Sequence, residues 1–270
     1  MLKNALRQKQ EEAMKFIKNL VQKSLKLAGY EIRPLPSKFQ SLPVELIDSE
    51  KELIRYVLNK GYSMASVPRL VNTLKACKYV VKNNIPGDFV ECGVWRGGNG
   101  IVAKKTFETL GSDKKVWMFD TFEGMTKPTN EDVNARTNIK AEEKYKETLK
   151  ETHSDWCYAS IADVKRNCME SGIDISSVEF IQGDVCKTLM DLKNLPKTIA
   201  VLRLDTDWYE STKAELQTLY PKLEKNGVLI IDDYGHWKGS RKAVDEYFAT
   251  QDYEPLFNVT DRAGRSAIKA

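Results

Sequence analysis

The sequence predicts an α/β fold: a mostly parallel seven-stranded sheet with helices on both faces, finished by an antiparallel hairpin at the C-terminus. Three observations carry that prediction. Five short apolar runs recur along the 270 residues, helical stretches separate most of them, and four of the five end in an acidic residue. One α/β domain with an added segment fits this length, and the 41% apolar content is enough to fill its core. Disorder and a disulfide scaffold are thereby excluded.

Within residues 1–30, Ala13, Ile17, Leu20, Val21 and Ala28 recur at helical spacing between Lys and Gln, which predicts an amphipathic helix ending at Gly29. It packs on the protein's own body or on a second copy, or, as the less favoured reading, rests on a membrane surface. The following EIRPLPSKFQSLPVE, with Pro34, Pro36 and Pro43, cannot be regular helix and reads as a linker, so residues 1–50 form an extension and 51–270 the main domain. The runs DFVEC (88–92), VWMFD (116–120), VEFIQGD (178–184), IAVLRLD (199–205) and GVLIIDD (227–233) are rich in β-branched and aromatic residues. Helical stretches such as 211–225 between them make them parallel strands joined by crossovers. LFNVT (256–260), the turn DRAG (261–264) and RSAIKA (265–270) read as the terminal hairpin.

Charge and cysteine usage narrow the function. The net charge is +4, but residues 1–30 carry seven Lys/Arg against two Glu, so the body is not basic and nucleic-acid binding is not expected. Cys77, Cys92, Cys157, Cys168 and Cys186 are odd in number and never spaced C-x-x-C, which suggests reduced, mostly buried thiols. With no secretory signal and no long apolar run, the expected location is the cytoplasm. The lysine pairs at 104–105 and 114–115 read as solvated charges.

Ligands of open α/β sheets bind beyond the carboxyl ends of the strands, which is where Asp120, Asp184, Asp205, Asp232 and Asp233 fall. The first run leads into Glu91-Cys92-Gly93-Val94-Trp95-Arg96-Gly97-Gly98, a turn with Trp95 where a dinucleotide fingerprint needs its second glycine, and without the G-K-[ST] of a phosphate loop. Asp120 is placed to accept hydrogen bonds from a ribose diol, and Gly183-Asp184 to meet an adenine amino group, so the set describes an adenosine pocket without pyrophosphate recognition. If the fourth and fifth runs are neighbours, Asp205, Asp232 and Asp233 converge. Uncompensated carboxylates repel, so at least one is protonated or a hard cation binds, Mg²⁺ first with Ca²⁺ or Mn²⁺ as alternatives, unless Arg203 or Lys238 pairs with them or they are simply exposed. Asp207, two residues beyond, suits a general base for an alcohol, or a helix N-cap. His236 suits either an acceptor contact or a structural role, and Trp156 either a sugar-stacking platform or the core. The long polar stretch 123–152 is a candidate lid.

The stretches FVECGVWRGGNG, FDTFEGM, DWCYASIADV, LRLDTDWYEST and GVLIIDDYGHWKGSRKAVDEYF resemble the macrocin O-methyltransferase family, over roughly residues 60–250. The resemblance implies a Rossmann-like class I methyltransferase domain, S-adenosylmethionine as methyl donor and Mg²⁺ as metal. It implies metal positions at Asp205, Asp232 and Asp233, a base at Asp207, and donor positions at Glu91, Gly93, Asp120, Phe122, Gly183 and Asp184. The segment MASVPR, with Met64 and Ser66, resembles the family's donor-covering segment. The expected function is methylation of a sugar hydroxyl of a small molecule or glycan by a homo-oligomeric enzyme. A catechol-type acceptor, or a non-catalytic donor-binding protein of a biosynthetic complex, is the alternative.

Overall fold

A computed structural model describes residues 42–270 together with Val21; the expected N-terminal amphipathic helix and most of the proline-containing linker lie outside the described residues. The first described helix, α1 (Asp48–Asn59), starts with Asp48 and Glu50 in its first turn, and the Glu50 side chain accepts from the Ile47 N–H at 3.1 Å. Its buried face is Ile54 and Val57. In α2 (Val67–Lys82), Pro68 occupies the first turn, where its missing N–H costs nothing. Leu70, Val71, Leu74, Cys77 and Val80 recur at helical spacing and are all buried, each aliphatic side chain contributing about 1.5–3 kcal/mol of transfer free energy.

From there strands and helices alternate: β1 (Asp88–Cys92), α3 (Gly98–Thr109), β2 (Val116–Asp120), α4 (Ala141–Thr148), α5 (Ile161–Glu170), β3 (Val178–Gln182), α6 (Val185–Thr188), β4 (Ile199–Leu204), α7 (Tyr209–Thr218), β5 (Leu223–Ile231) and α8 (Lys238–Ala249), then β6 (Asn258–Val259) and β7 (Arg265–Ile268). They build a seven-stranded sheet of order β3-β2-β1-β4-β5-β7-β6, in which β1 to β5 are parallel and β7 pairs antiparallel with both β5 and β6. The alternation of the pleat supplies both layers of the core. Phe89, Val201 and Ile230 pack towards α1, α2 and α3, while Val90, Leu202 and Leu229 pack towards α7 and α8.

Two expectations are corrected. The helix expected over 211–225 ends at Thr218, because Pro221 cannot continue the hydrogen-bond ladder; a short 3₁₀ turn carries the chain into β5, which starts at Leu223 rather than 227. Of the lysines expected to be solvated, Lys104 is buried, and Lys114 donates to the carbonyls of Ile85 and Gly87 at 2.6 and 2.7 Å, tying the turn before β1 to β2. Cys77, Cys92 and Cys168 are buried, Cys157 and Cys186 half-buried, and all five are free thiols. Among the described residues no helix is long and apolar enough to cross a membrane.

Candidate active site

Strand order determines where the site forms. β1 and β4 are neighbours, with the sheet extending outward from β1 to β2 and β3 and from β4 to β5, so adjacent crossovers diverge at their carboxyl ends and leave a crevice. A cavity of about 510 Å³ lies there. It is bounded by the segment before α2, the loop after β1, the segment from Asn134 to Cys157, the ends of β4 and β5, and Arg262 in the β6–β7 turn.

Its floor is carboxylate-rich. Side-chain oxygens of Asp205, Asp232 and Asp233 lie within 4.8 Å of one another. Beneath them, Arg203 projects from β4 one residue before its carboxyl end, with a fully buried side chain, a placement tolerable only with compensating charge. The register supplies it: Glu91 of β1 sits opposite Arg203, and Arg203 Nη1 donates to Glu91 Oε1 at 2.7 Å and to Asp205 Oδ2 at 2.6 Å, while Nη2 pairs with Asp232. Arg69 of α2 pairs with Asp232 and reaches Asp261 Oδ2 at 2.9 Å. The pairing with Arg203 weighed from the sequence is therefore present for Asp205 and Asp232. Lys238 instead donates to Asn138 Oδ1 at 2.7 Å.

Not every oxygen of the cluster finds a partner. Asp233 Oδ2 and Glu91 Oε2 are buried with no hydrogen-bond partner, and each unsatisfied oxygen carries a desolvation cost of about 1–3 kcal/mol. Burial raises the Asp233 carboxyl well above its ordinary range, and Asp207 and Asp232 beside it add to the effect. Burial raises Asp205 likewise, against the opposing pull of Arg203. Buried oxygens without partners, gathered with other hard oxygen donors and without His or Cys, fit a divalent cation of the Mg²⁺ or Ca²⁺ type.

Asp207 faces this cluster. Its backbone adopts φ 68°, an uncommon left-handed conformation for an aspartate, and its carboxyl lies against Asp233 and Trp237. Burial, and next Asp205, push its pKa up to about 7. It is not the cap of α7: the first N–H of that helix, on Tyr209, donates to Asp132 Oδ1 at 2.8 Å. Asp132, fully buried and absent from the sequence-based candidates, also accepts from the Thr129 N–H and hydroxyl at 2.6 and 2.9 Å, joining residues 129–132 to the start of α7.

The expected donor residues divide. Glu91 and Met64 line the large cavity. Gly93, Asp120, Gly183 and Asp184 line instead a small adjoining cavity of about 50 Å³ that shares Asp205 with the first. Asp120 Oδ2 accepts from the Val94 and Trp95 N–H groups at 2.7 and 3.0 Å and Oδ1 from the Phe122 N–H at 2.8 Å, so this side chain holds the loop after β1 in shape while it lines the small cavity. Gly93, at φ 81°, is required by close packing, because a Cβ there would lie 2.0 Å from the Asp205 carbonyl oxygen. Asp184 caps α6 through the Cys186 N–H at 3.0 Å, and keeps its second oxygen available. Ser66 donates to Asp261 at 2.5 Å, and Phe122 is a core residue, so neither side chain lines the large cavity.

The acceptor candidates do come together. Trp156 lines the cavity and also packs edge-on against Trp208 at 5.4 Å. Trp237 completes the aromatic wall. His236 lines the same cavity with its Nε2 3.2 Å from Asn134 Nδ2, and burial followed by Arg69, Arg262 and Lys144 lowers its pKa, which favours the neutral imidazole.

Comparison with known proteins agrees with this architecture. The family model described as macrocin-O-methyltransferase matches residues 36–264. Demethyldecarbamoylnovobiocin O-methyltransferase of Streptomyces niveus is 34% identical over 205 residues, covering 76% of this chain and 74% of that protein. Mycinamicin III 3''-O-methyltransferase of Micromonospora griseorubida is 33% identical over 190 residues, 69% of this chain and 70% of its own. Among solved structures, the O-methyltransferase NovP superposes with a TM-score of 0.68 at 31% identity, over 77% of this chain and 82% of that chain. The calicheamicin methyltransferase CalS11, at 16% identity, shares the fold with a TM-score of 0.57 over 88% of this chain and 99% of that one.

Proposed function

Because the chain belongs to the macrocin O-methyltransferase family, and is thus an S-adenosylmethionine-dependent O-methyltransferase, we propose that the hydroxyl it methylates belongs to a sugar of a glycosylated natural product or glycan, and that Mg²⁺ assists the transfer. One observation carries this reading: Asp205, Asp207, Asp232 and Asp233 gather on the floor of one cavity beneath an aromatic wall, with a buried Asp233 oxygen left without a partner. The relatives named as O-methyltransferases of demethyldecarbamoylnovobiocin and mycinamicin III support an acceptor of that natural-product class.

Asp205, Asp232 and Asp233 would hold the cation, which when bound stabilises the negative charge developing on an alcohol oxygen. Arg203 and Arg69 fix the rotamers of Asp205 and Asp232 from beneath and beside, so these oxygens are oriented before any ligand arrives. Asp207 accepts the hydroxyl proton. S-adenosylmethionine, when bound, would supply the methyl group to the acceptor oxygen, the electron pair of its carbon–sulfur bond returning to sulfur so that S-adenosylhomocysteine remains. Trp156 and Trp237 present apolar faces on which the C–H surface of a sugar ring rests, and the segment from Asn134 to Cys157 keeps water from the reacting atoms. The test is methyl transfer to a panel of glycosides, followed by mass spectrometry, with and without EDTA and for Asp233→Asn. Activity that disappears with EDTA, returns with Mg²⁺ and is lost in Asp233→Asn is expected; full activity after chelation removes the cation from the reading.

A further inference from the structure

The cavity is acidic only at its floor. At its mouth stand Lys140 and Lys144 from the lid segment and Arg262 from the β6–β7 turn, two parts of the chain more than 100 residues apart that meet around one opening. Among the described residues none of the three forms an ion pair, whereas lid lysines outside the cavity do: Lys146 with Glu142 at 2.8 Å and Lys150 with Asp155 at 3.1 Å. Lys144 holds its ammonium over the Trp156 ring, 4.3 Å from its centre. Lys144 and Arg262 are also close enough to His236 that both help to hold its pKa down.

The charge balance points the same way. Five carboxylates line the cavity: Glu91, Asp205, Asp207, Asp232 and Asp233. Arg69, Lys140, Lys144 and Arg262 line it too, and Arg203 lies beneath, so the lining is formally neutral before any ligand enters. S-adenosylmethionine, with a sulfonium and an ammonium against one carboxylate, adds net positive charge, and a divalent cation adds more. A loaded cavity thus carries excess positive charge, unscreened by ion pairs at the mouth, and favours an acceptor that brings negative charge.

Resting on the sugar reading above, we propose that Lys140, Lys144 and Arg262 select an anionic sugar acceptor, one carrying a phosphate or a carboxylate some ångströms from the hydroxyl methylated. Lys144 and Arg262 take the anion from opposite sides, Trp156 carries the ring between them, and the hydroxyl is directed down to the carboxylate floor. Both lysines and Arg262 are exposed, so unliganded they remain hydrated; their energy is gained only when the acceptor displaces that water.

Isothermal titration of the full-length protein preloaded with S-adenosylhomocysteine and Mg²⁺ tests this directly. The probes are a set of hexose 1-phosphates, the matching hexuronates and the matching neutral methyl glycosides. At least one anionic probe is expected to bind about tenfold or more tighter than its neutral counterpart, with an affinity that falls as salt rises. Lys144→Glu and Arg262→Glu are each expected to weaken that probe by about tenfold while leaving S-adenosylhomocysteine affinity within about twofold. A preference for the 1-phosphates identifies a phosphate, and for the hexuronates a carboxylate. Neutral glycosides binding as tightly as the anions, reversals without effect, or binding of no probe by protein that still takes up S-adenosylhomocysteine would each overturn the proposal. So would reversals that weaken S-adenosylhomocysteine instead, because the cations would then serve the donor carboxylate. Failure of the unaltered protein to bind S-adenosylhomocysteine would strike the donor reading rather than the acceptor class.

Discussion

Glu215 gives the sharpest test of how the site is supported. It projects from α7 beneath the loop joining Asp205 to Asp207, fully buried, with Oε1 2.8 Å from the Thr206 hydroxyl and Oε2 without a partner. Burial raises its pKa from an ordinary 4.5 to about 8. The folded protein therefore keeps a proton on Glu215 at neutral pH that the unfolded chain releases above pH 4.5, and folding stability falls as pH rises from there through about 8. Each pKa unit corresponds to about 1.4 kcal/mol, so by pH 7.5 this one group costs up to about 4 kcal/mol relative to pH 4.5, an upper bound because a buried site relaxes. Glu215→Gln keeps the shape and the hydrogen bond to Thr206 and has no proton to lose. Urea unfolding of both proteins from pH 5 to 8.5 is the assay. The two should lie within about 1 kcal/mol of each other at pH 5, with the variant ahead by about 2–4 kcal/mol at pH 8. Parallel stability curves would refute the account, since the other buried acids, Glu91 and Asp207 among them, act equally in both proteins.

Three further outcomes are expected. Arg203→Met leaves Glu91, Asp205 and Asp232 without their shared cation and should destabilise by about 3–5 kcal/mol in urea unfolding, with part of the loss recovered in the double variant carrying Glu91→Gln; a change below about 1 kcal/mol would mean that the buried ion pairs are not formed in solution. Asp207→Asn should lower the methyl-transfer rate by about 10²–10⁴ with S-adenosylhomocysteine affinity nearly unchanged, and a fully active variant would remove the proton-accepting role. Asp132→Ala removes the acceptor shared by Tyr209 and Thr129 and should speed amide hydrogen exchange across residues 129–141 while sparing the sheet; unchanged exchange would show that the lid is held elsewhere.

Much of this molecule can be read from local pattern. Near-continuous apolar runs of strand length, alternating with helical stretches, announce a parallel sheet because a strand buried on both faces has no polar side to show. The acids closing those runs then fall at one edge, so the convergence of Asp205, Asp232 and Asp233, with Asp207 two residues beyond, is legible in the sequence. Pro221 shows the limit of periodicity: the apolar spacing runs on to residue 225, but a missing N–H stops the helix at Thr218.

What no local pattern contained is who faces whom across the sheet. The position of Asp120 at a strand end is legible in the sequence, but not that its oxygens accept from three N–H groups, two of them 25 and 26 residues upstream. Arg203 and Glu91 are 112 residues apart in the chain and meet only because β1 lies beside β4 in that register; Arg69 and Asp232 are 163 apart. The sequence by itself determined the secondary structure, the parallel sheet and the acidic edge, because periodicity and strand termini are properties of neighbouring residues. The tertiary structure alone decided which of those acids are neutralised from within, which oxygen is left unsatisfied, and which cations surround the opening, because those depend on strand register and loop closure over long separations.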